Sequence, residues 1–167
     1  MISKLLETLE KINIWIGRAV SYLILVIMGI TLIEVLMRYG FNSPTIWVHE
    51  TSQQLFAVSF LLGGAYTLAR DGHVRVDIFT RRLSPKGRAV MEIVTSFFFF
   101  IFSGLLLYLG AEMGWESITM LERTQTPWEP FIFHVIAMIP VAALLLVIQG
   151  LVQLLRNIQF LAGGGEA

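Results

Sequence analysis

Residues 70–88, RDGHVRVDIFTRRLSPKGR, divide a chain that is otherwise largely apolar. Arg70, Arg75, Arg81, Arg82, Lys86 and Arg88 all fall inside this stretch. Lys and Arg gather in cytoplasmic loops close to the ends of membrane-spanning helices, so a loop this basic assigns a side of the membrane to each hydrophobic run around it. The rest of the topology follows from that assignment.

The composition supports lipid as the solvent. Of the 167 residues, 56% are hydrophobic and only 14% are charged, against about 25% charged in an ordinary soluble domain. The formal net charge of zero says nothing by itself; the distribution of charge along the chain carries the information, and it argues against nucleic acid as a partner. Cysteine is absent, which excludes a disulfide framework, a thiolate metal site and a cysteine nucleophile. The N-terminal residues have no compact apolar core followed by a small-residue cleavage site, so no removable signal is expected.

Outward from the loop, the pattern predicts an all-α membrane protein with four transmembrane helices. Ile2, Leu5, Leu6, Leu9, Ile12 and Ile16 recur at helical spacing among Lys4, Glu7, Glu10 and Lys11, which predicts an amphipathic helix over residues 1–16 lying along the inner membrane surface. Extension of the first span into water is the alternative. Spans are predicted at about 19–38, 52–70, 89–111 and 131–155, each close to the 20 residues that roughly 30 Å of hydrocarbon requires. Residues 71–88 form the cytoplasmic loop and 112–130 the outer segment, in part as an amphipathic extension of the third helix that Gly110 and Gly114 bend. Asn42-Ser43-Pro44, Ser84-Pro85 and the capping box Thr126-Pro127-Trp128-Glu129 are helix-start signals, placing starts near Pro44, Pro85 and Pro127 or just after Pro130. Pro140 predicts a kink in the fourth helix, because it removes a backbone bond and clashes with the carbonyl of Ile136. With both termini inside, all basic residues except Arg38 and Arg123 fall on the inner side, as the positive-inside rule asks.

Few residues carry chemistry. Glu34 and Arg38 are four apart on one helical face, acid first, which is the favourable order for a neutralising pair; the sharper reading makes Glu34 a proton-coupling carboxylate of a self-sufficient small four-helix transporter. His49-Glu50 begins a zinc-protease motif, but Gln53 stands where its second histidine would be. Asp71, His73 and Asp77 offer two or three metal ligands without a fourth, and shaping the loop accounts for them. His49 and His134 near the outer ends of two helices would allow a b-type haem anchor, although both sit close to water. No serine elbow or phosphate loop is present, so neither enzyme activity nor a cofactor or metal is expected. Ser59, Gly63, Gly64 and Ala65 give the second helix a smooth strip suited to close helix packing.

Arg38-Tyr39, Phe41-Asn42, Trp47, Glu50 and the run Arg70, Gly72, His73, Val74, Val76 and Asp77 together resemble the small membrane subunit of tripartite ATP-independent periplasmic (TRAP) transporters, the DctQ-like subunit, over most of the chain. The resemblance implies a multi-pass protein of the bacterial inner membrane with both termini cytoplasmic. It also implies two partners: a large permease subunit that moves a small organic anion inward with sodium, and a periplasmic substrate-binding protein that captures it. The small subunit is then a scaffold. On that reading Ser59, Gly63 and Gly64 pack on the large subunit, while Glu34, Arg38, Trp47 and Glu50 order the outer end. Arg70, Asp71, His73, Arg75 and Asp77 knit the inner loop to itself or to the partner. Arg81, Arg82, Lys86 and Arg88 meet anionic phospholipid headgroups, a role that plain topology determination accounts for equally well. The residues themselves agree with a scaffold: no discontinuous helix pair flanked by polar midplane groups marks a transport site.

Overall fold

The computed structural model describes residues 2–70 and 84–162, and among them the architecture is helical: α1 (Ile2–Ser21), α2 (Leu23–Gly40), α3 (Val48–Ala69), α4 (Pro85–Met120), the single turn α5 (Phe133–Ile136) and α6 (Met138–Ala162). An antiparallel bridge joins Arg123 and Phe131. The central part of the basic loop, with Asp71, His73, Arg75, Asp77, Arg81 and Arg82, lies outside the described residues. Among the described residues, three stretches are long and apolar enough to cross a membrane, Leu6–Gly40, Pro85–Met120 and Phe133–Ala162. The predicted span at 52–70 is a helix, but α3 is not among them, because His49, Glu50, Gln53 and Gln54 occupy its first turns.

The boundary expected between an amphipathic segment and the first span is absent. Tyr22 alone separates α1 from α2, and its backbone keeps helical angles (φ −69°, ψ −19°). Leu6, Asn13, Gly17 and Val20 are buried, a stripe seven, four and three residues apart that matches helix-on-helix packing. It meets α3 and α6: a Cβ at Gly17 would overlap the Tyr66 side chain, so only glycine admits that ring. The N-terminal helix thus extends the first long helix and spends one face inside the bundle.

α2 ends at a left-handed Asn42 (φ 51°), and the amide of Ser43 donates to the carbonyl of Met37 at 2.9 Å. Asparagine tolerates this conformation, so Asn42 stops one helix instead of starting the next. The following helix begins at Val48, four residues beyond the predicted start at Pro44, because the Thr45 amide is held by Glu34 at 3.0 Å. Ser84-Pro85 behaves as expected: the Gly87 amide donates to Ser84 Oγ at 3.2 Å, with proline in the first turn.

α4 has 36 residues, about 54 Å at 1.5 Å per residue, and so exceeds a hydrocarbon layer of about 30 Å. Its buried residues, Ala89, Ser103, Gly110, Gly114 and Ser117, form a narrow seam of small side chains, and its main neighbour is α6. A Cβ at Gly110 would lie 2.8 Å from Ile139 Cγ2. The two glycines expected to bend α4 therefore serve close approach instead, and the helix runs through both.

The Thr126–Glu129 capping box does not form. Thr126 Oγ1 meets Thr124 Oγ1 at 2.8 Å, and Glu129, left-handed at φ 47°, donates its amide to the Thr126 carbonyl at 3.0 Å. This is a turn, and helix begins only at Phe133. Near Pro140, which has no amide to reach Ile136, Ala137 alone separates α5 from α6, and its backbone keeps helical angles (φ −63°, ψ −19°).

Candidate functional site

The polar side chains gather at the two ends of the bundle and at one buried point between them. At the end formed by the 41–47 and 121–132 connections, here the hairpin end, Glu34 is the organising group. Arg38 Nη2 lies 2.6 Å and Nε 2.9 Å from Glu34 Oε1. The Thr45 amide and hydroxyl both donate to Oε2. One carboxylate thus neutralises a cation one turn away and fixes the chain that leads into α3.

Glu50, 9% exposed, accepts a hydrogen bond from Thr124 Oγ1 at 3.3 Å. Its place in the first turn of α3 sets a negative charge near the positive end of the helix dipole. Gln54 Nε2 reaches the Phe131 carbonyl at 3.2 Å. The 121–132 hairpin that receives these contacts closes on itself through Thr124 N to Pro130 O (3.0 Å) and Ile132 N to Glu122 O (2.9 Å). The Arg123 guanidinium lies 3.9 Å from the centre of the Phe131 ring, a cation–π contact. Trp47 is the N-cap of α3, without a capping bond and partly exposed.

At the opposite, terminal end, Arg156 forms a two-pronged pair with Glu10, Nη1 to Oε1 at 3.1 Å and Nη2 to Oε2 at 2.5 Å, the geometry in which arginine–carboxylate pairs are strongest. Glu92 accepts from Arg88 Nε at 3.3 Å and from Asn157 Nδ2 at 2.9 Å. Gln153 Nε2 donates to the Leu68 carbonyl at 2.8 Å. These groups tie α1, α3 and α4 to α6 around a cleft of about 330 Å³. Arg70 caps α3 and lies 5.8 Å from the Tyr66 ring centre. Lys86 and Arg88 are exposed in the first turns of α4, where headgroup contact was expected.

Midway, Asn13 and Gln149 are buried to 2% and 1% exposure and bond side chain to side chain at 2.8 Å. The sequence reading missed this pair, and also Glu10–Arg156. The available signal was an amide on the otherwise small or apolar face of α1 that holds Leu6, Gly17 and Val20, and an isolated polar residue between Val141 and Val152.

The small residues of α3 divide. Gly64 faces Leu146 of α6 at 3.8 Å from its would-be Cβ, whereas Gly63 has nothing within 4 Å. Ser59 satisfies its hydroxyl on the Leu55 carbonyl at 2.7 Å. His49 is exposed beside Gln53 at 3.1 Å, and His134 is exposed with its ring edge-on to Phe133, so neither lies within the bundle where a haem would sit. Asp71, His73, Asp77, Arg81 and Arg82 lie outside the described residues. What the geometry offers chemically is cohesion: charged and amide groups partnered across helices, with no nucleophile set beside a base among the contacts described above.

A sequence profile described as the DctQ component of tripartite ATP-independent periplasmic transporters matches residues 27–160. The chain belongs to this family. It is therefore a small permease component of a TRAP transporter, and among curated relatives it is 32% identical over 93 residues to a putative TRAP transporter small permease protein of Haemophilus influenzae, covering 55% of each chain. It is 30% identical over 100 residues to the C4-dicarboxylate TRAP transporter small permease protein DctQ of Vibrio cholerae, covering 58% of this chain and 43% of that one. The sialic acid TRAP transporter permease protein SiaT of Haemophilus influenzae is 26% identical over 141 residues, 84% of this chain but 22% of the relative. The matched stretch of this chain spans between about a fifth and about half of these relatives' lengths.

Proposed function

We propose that this TRAP component is the small membrane subunit of a sodium-coupled uptake system for small organic anions. It acts as a scaffold for a large permease subunit that takes substrate from a periplasmic binding protein. It resides in the bacterial inner membrane with both termini cytoplasmic. The observation that supports the scaffold role is the use of buried polar groups between elements: Asn13 Nδ2 donates to Gln149 across α1 and α6, and Thr124 of the hairpin holds Glu50 of α3, whereas the buried hydroxyls of Ser52 and Ser117 have no hydrogen-bond partner among the described residues. Groups spent on holding helices together do not line a path for a solute.

Glu34 bears on the competing reading of autonomous proton-coupled transport. A coupling carboxylate must exchange protons with water or substrate, whereas Glu34 is engaged by Arg38 and by two donors of Thr45, so its place is structural. Relatives named for sialic acid and for C4-dicarboxylate support carboxylate-bearing anions as the substrate class.

α3 supplies the fourth crossing. Its 22 residues extend about 33 Å, enough for the hydrocarbon layer, and its neighbours α1, α2 and α6 shelter a helix less apolar than the rest. The sidedness rests on charge. Arg38 and Arg123 are at the hairpin end, and Lys4, Lys11, Arg18, Arg70, Lys86, Arg88 and Arg156 are toward the terminal end, which assigns the latter to the cytoplasm.

Co-expression of an affinity-tagged chain with its large permease subunit tests the scaffold. The expected result is a one-to-one complex that survives detergent extraction and gel filtration. Two separately eluting subunits would contradict it.

A further inference from the structure

One face of α1 lies inside the bundle and the opposite face is open. At 3.6 residues per turn, Lys4, Thr8, Lys11, Trp15, Arg18 and Tyr22 fall on a single stripe, and all six are exposed. The buried Leu6, Asn13, Gly17 and Val20 are on the far side of the helix. Because Tyr22 keeps helical angles, the stripe continues into α2 through Leu25, which is exposed, and Gly29, where a Cβ would meet nothing within 4 Å. Cations and aromatic rings alternate along its first part, and hydrocarbon follows.

The cations on this stripe have no counter-ion in the protein. Arg38, Arg88 and Arg156 are paired with Glu34, Glu92 and Glu10, whereas among the described residues no carboxylate lies within 4 Å of Lys11 or Arg18. Their depth follows from the sequence. The apolar run starts at Ala19, so Arg18 stands at the edge of the hydrocarbon, flanked by Trp15 and Tyr22 at the level where amphipathic rings are favoured. The open faces of α2 and α4 differ: Met28 and Leu32 on one, Phe98 and Phe102 on the other, are exposed, and neither the 23–37 nor the 89–111 stretch contains a cation. A row of free positive charge joined to a lipid-facing surface at headgroup depth is complementary to an anion that carries its own hydrocarbon.

We infer that this face of α1 binds an anionic phospholipid, its phosphate held between Lys11 and Arg18 beside the Trp15 ring and an acyl chain following Leu25 and Gly29. Lys11 and Arg18 are seven residues apart, about 10 Å along the axis, which two long side chains close around one phosphodiester. Arginine supplies a planar fork for two phosphate oxygens and lysine a point charge. Tyr22, one turn deeper than Arg18, faces the ester region, and Gly29 leaves a gap in the outward ridge where a chain can lie. The site is separate from the basic 70–88 loop and independent of the scaffold role.

Lipid-selective quenching of tryptophan in the full-length chain tests the site. Trp47→Phe, Trp115→Phe and Trp128→Phe leave Trp15 as the reporter, and the chain is reconstituted into phosphatidylcholine vesicles with increasing fractions of dibrominated phosphatidylglycerol or dibrominated phosphatidylcholine. Bromine quenches a ring only on close approach, so the fraction giving half-maximal quenching reads the lipid bound beside Trp15. Phosphatidylglycerol should reach it at a several-fold lower fraction than phosphatidylcholine. Lys11→Gln or Arg18→Gln, each at an exposed position, should raise that fraction about fivefold, the equivalent of about 1 kcal/mol per cation, and the double variant should treat the two lipids alike. A chain whose only tryptophan is introduced by Phe98→Trp on α4 should respond equally to both. Equal quenching of Trp15 by the two lipids, a preference that survives in the double variant, or the same preference at position 98 would each overturn the site, and none of them bears on the scaffold.

Discussion

Glu34 has partners both on its own helix and beyond it. A carboxylate in a membrane helix invites a proton-transfer role, yet its oxygens are shared between Arg38 and Thr45. Thr45→Val should therefore loosen the entry to α3, lowering the thermal midpoint of the detergent-solubilised chain, while Glu34→Gln should lower it further because it also strands Arg38. An unchanged midpoint in both variants would contradict this role. The buried Asn13–Gln149 pair gives a sharper test. Asn13→Leu leaves the Gln149 amide without its side-chain partner, and a double-mutant cycle with Gln149→Leu should return a coupling of about 0.6–1.7 kcal/mol, the range measured between membrane helices. The Glu34–Arg38 pair was legible in the sequence because both members lie one turn apart on one helix. Thr45, Asn13 and Gln149 were not, since each is defined by a partner that only the tertiary arrangement brings close.

The elements differ in how much of their form is local. Ser84-Pro85 starts α4 as read, because the cap is closed by the amide of Gly87 three residues on. The missing amide at Pro140 was also legible, being a property of the proline ring, and the one-residue separation of α5 from α6 falls within the turn before it. Thr126-Pro127-Trp128-Glu129 has the letters of a capping box, but Thr124, Glu50 and Arg123 draw this segment into a hairpin against α3. The start at Pro44 failed for a similar reason, with Glu34 holding Thr45 in the connection. Between α4 and α6 the account predicts a strict size limit. Gly110→Val should cost about 1–3 kcal/mol by overpacking against Ile139, whereas Gly104→Val, facing open space, should gain a few tenths of a kcal/mol, roughly the margin by which valine exceeds glycine in helix propensity. Urea titration of the two variants in the same detergent separates these outcomes.

At the scale of the whole molecule, the helical membrane class and the family were both legible, the first from composition and the second from residues clustered around α2, α3 and the loop after it. The reach of α1 into the bundle was not, because its buried stripe of Leu6, Asn13, Gly17 and Val20 differs by rotation from the more hydrophobic face that periodicity selects. Sidedness rests on charge and is directly checkable in a chain without cysteine. In intact spheroplasts, Gln125→Cys should react with a membrane-impermeant thiol reagent and Gln159→Cys only after permeabilisation; the reverse pattern would invert the topology.

The central claim is that this subunit supports a transporter without itself providing the route. It is tested most directly by uptake of a labelled carboxylate, sialic acid or a C4-dicarboxylate, into sodium-gradient proteoliposomes holding this chain alone, the large subunit alone, or both, with the binding protein outside. The account predicts background uptake from this chain alone and sodium-dependent accumulation when both subunits are present. Concentrative uptake by this chain alone would contradict it.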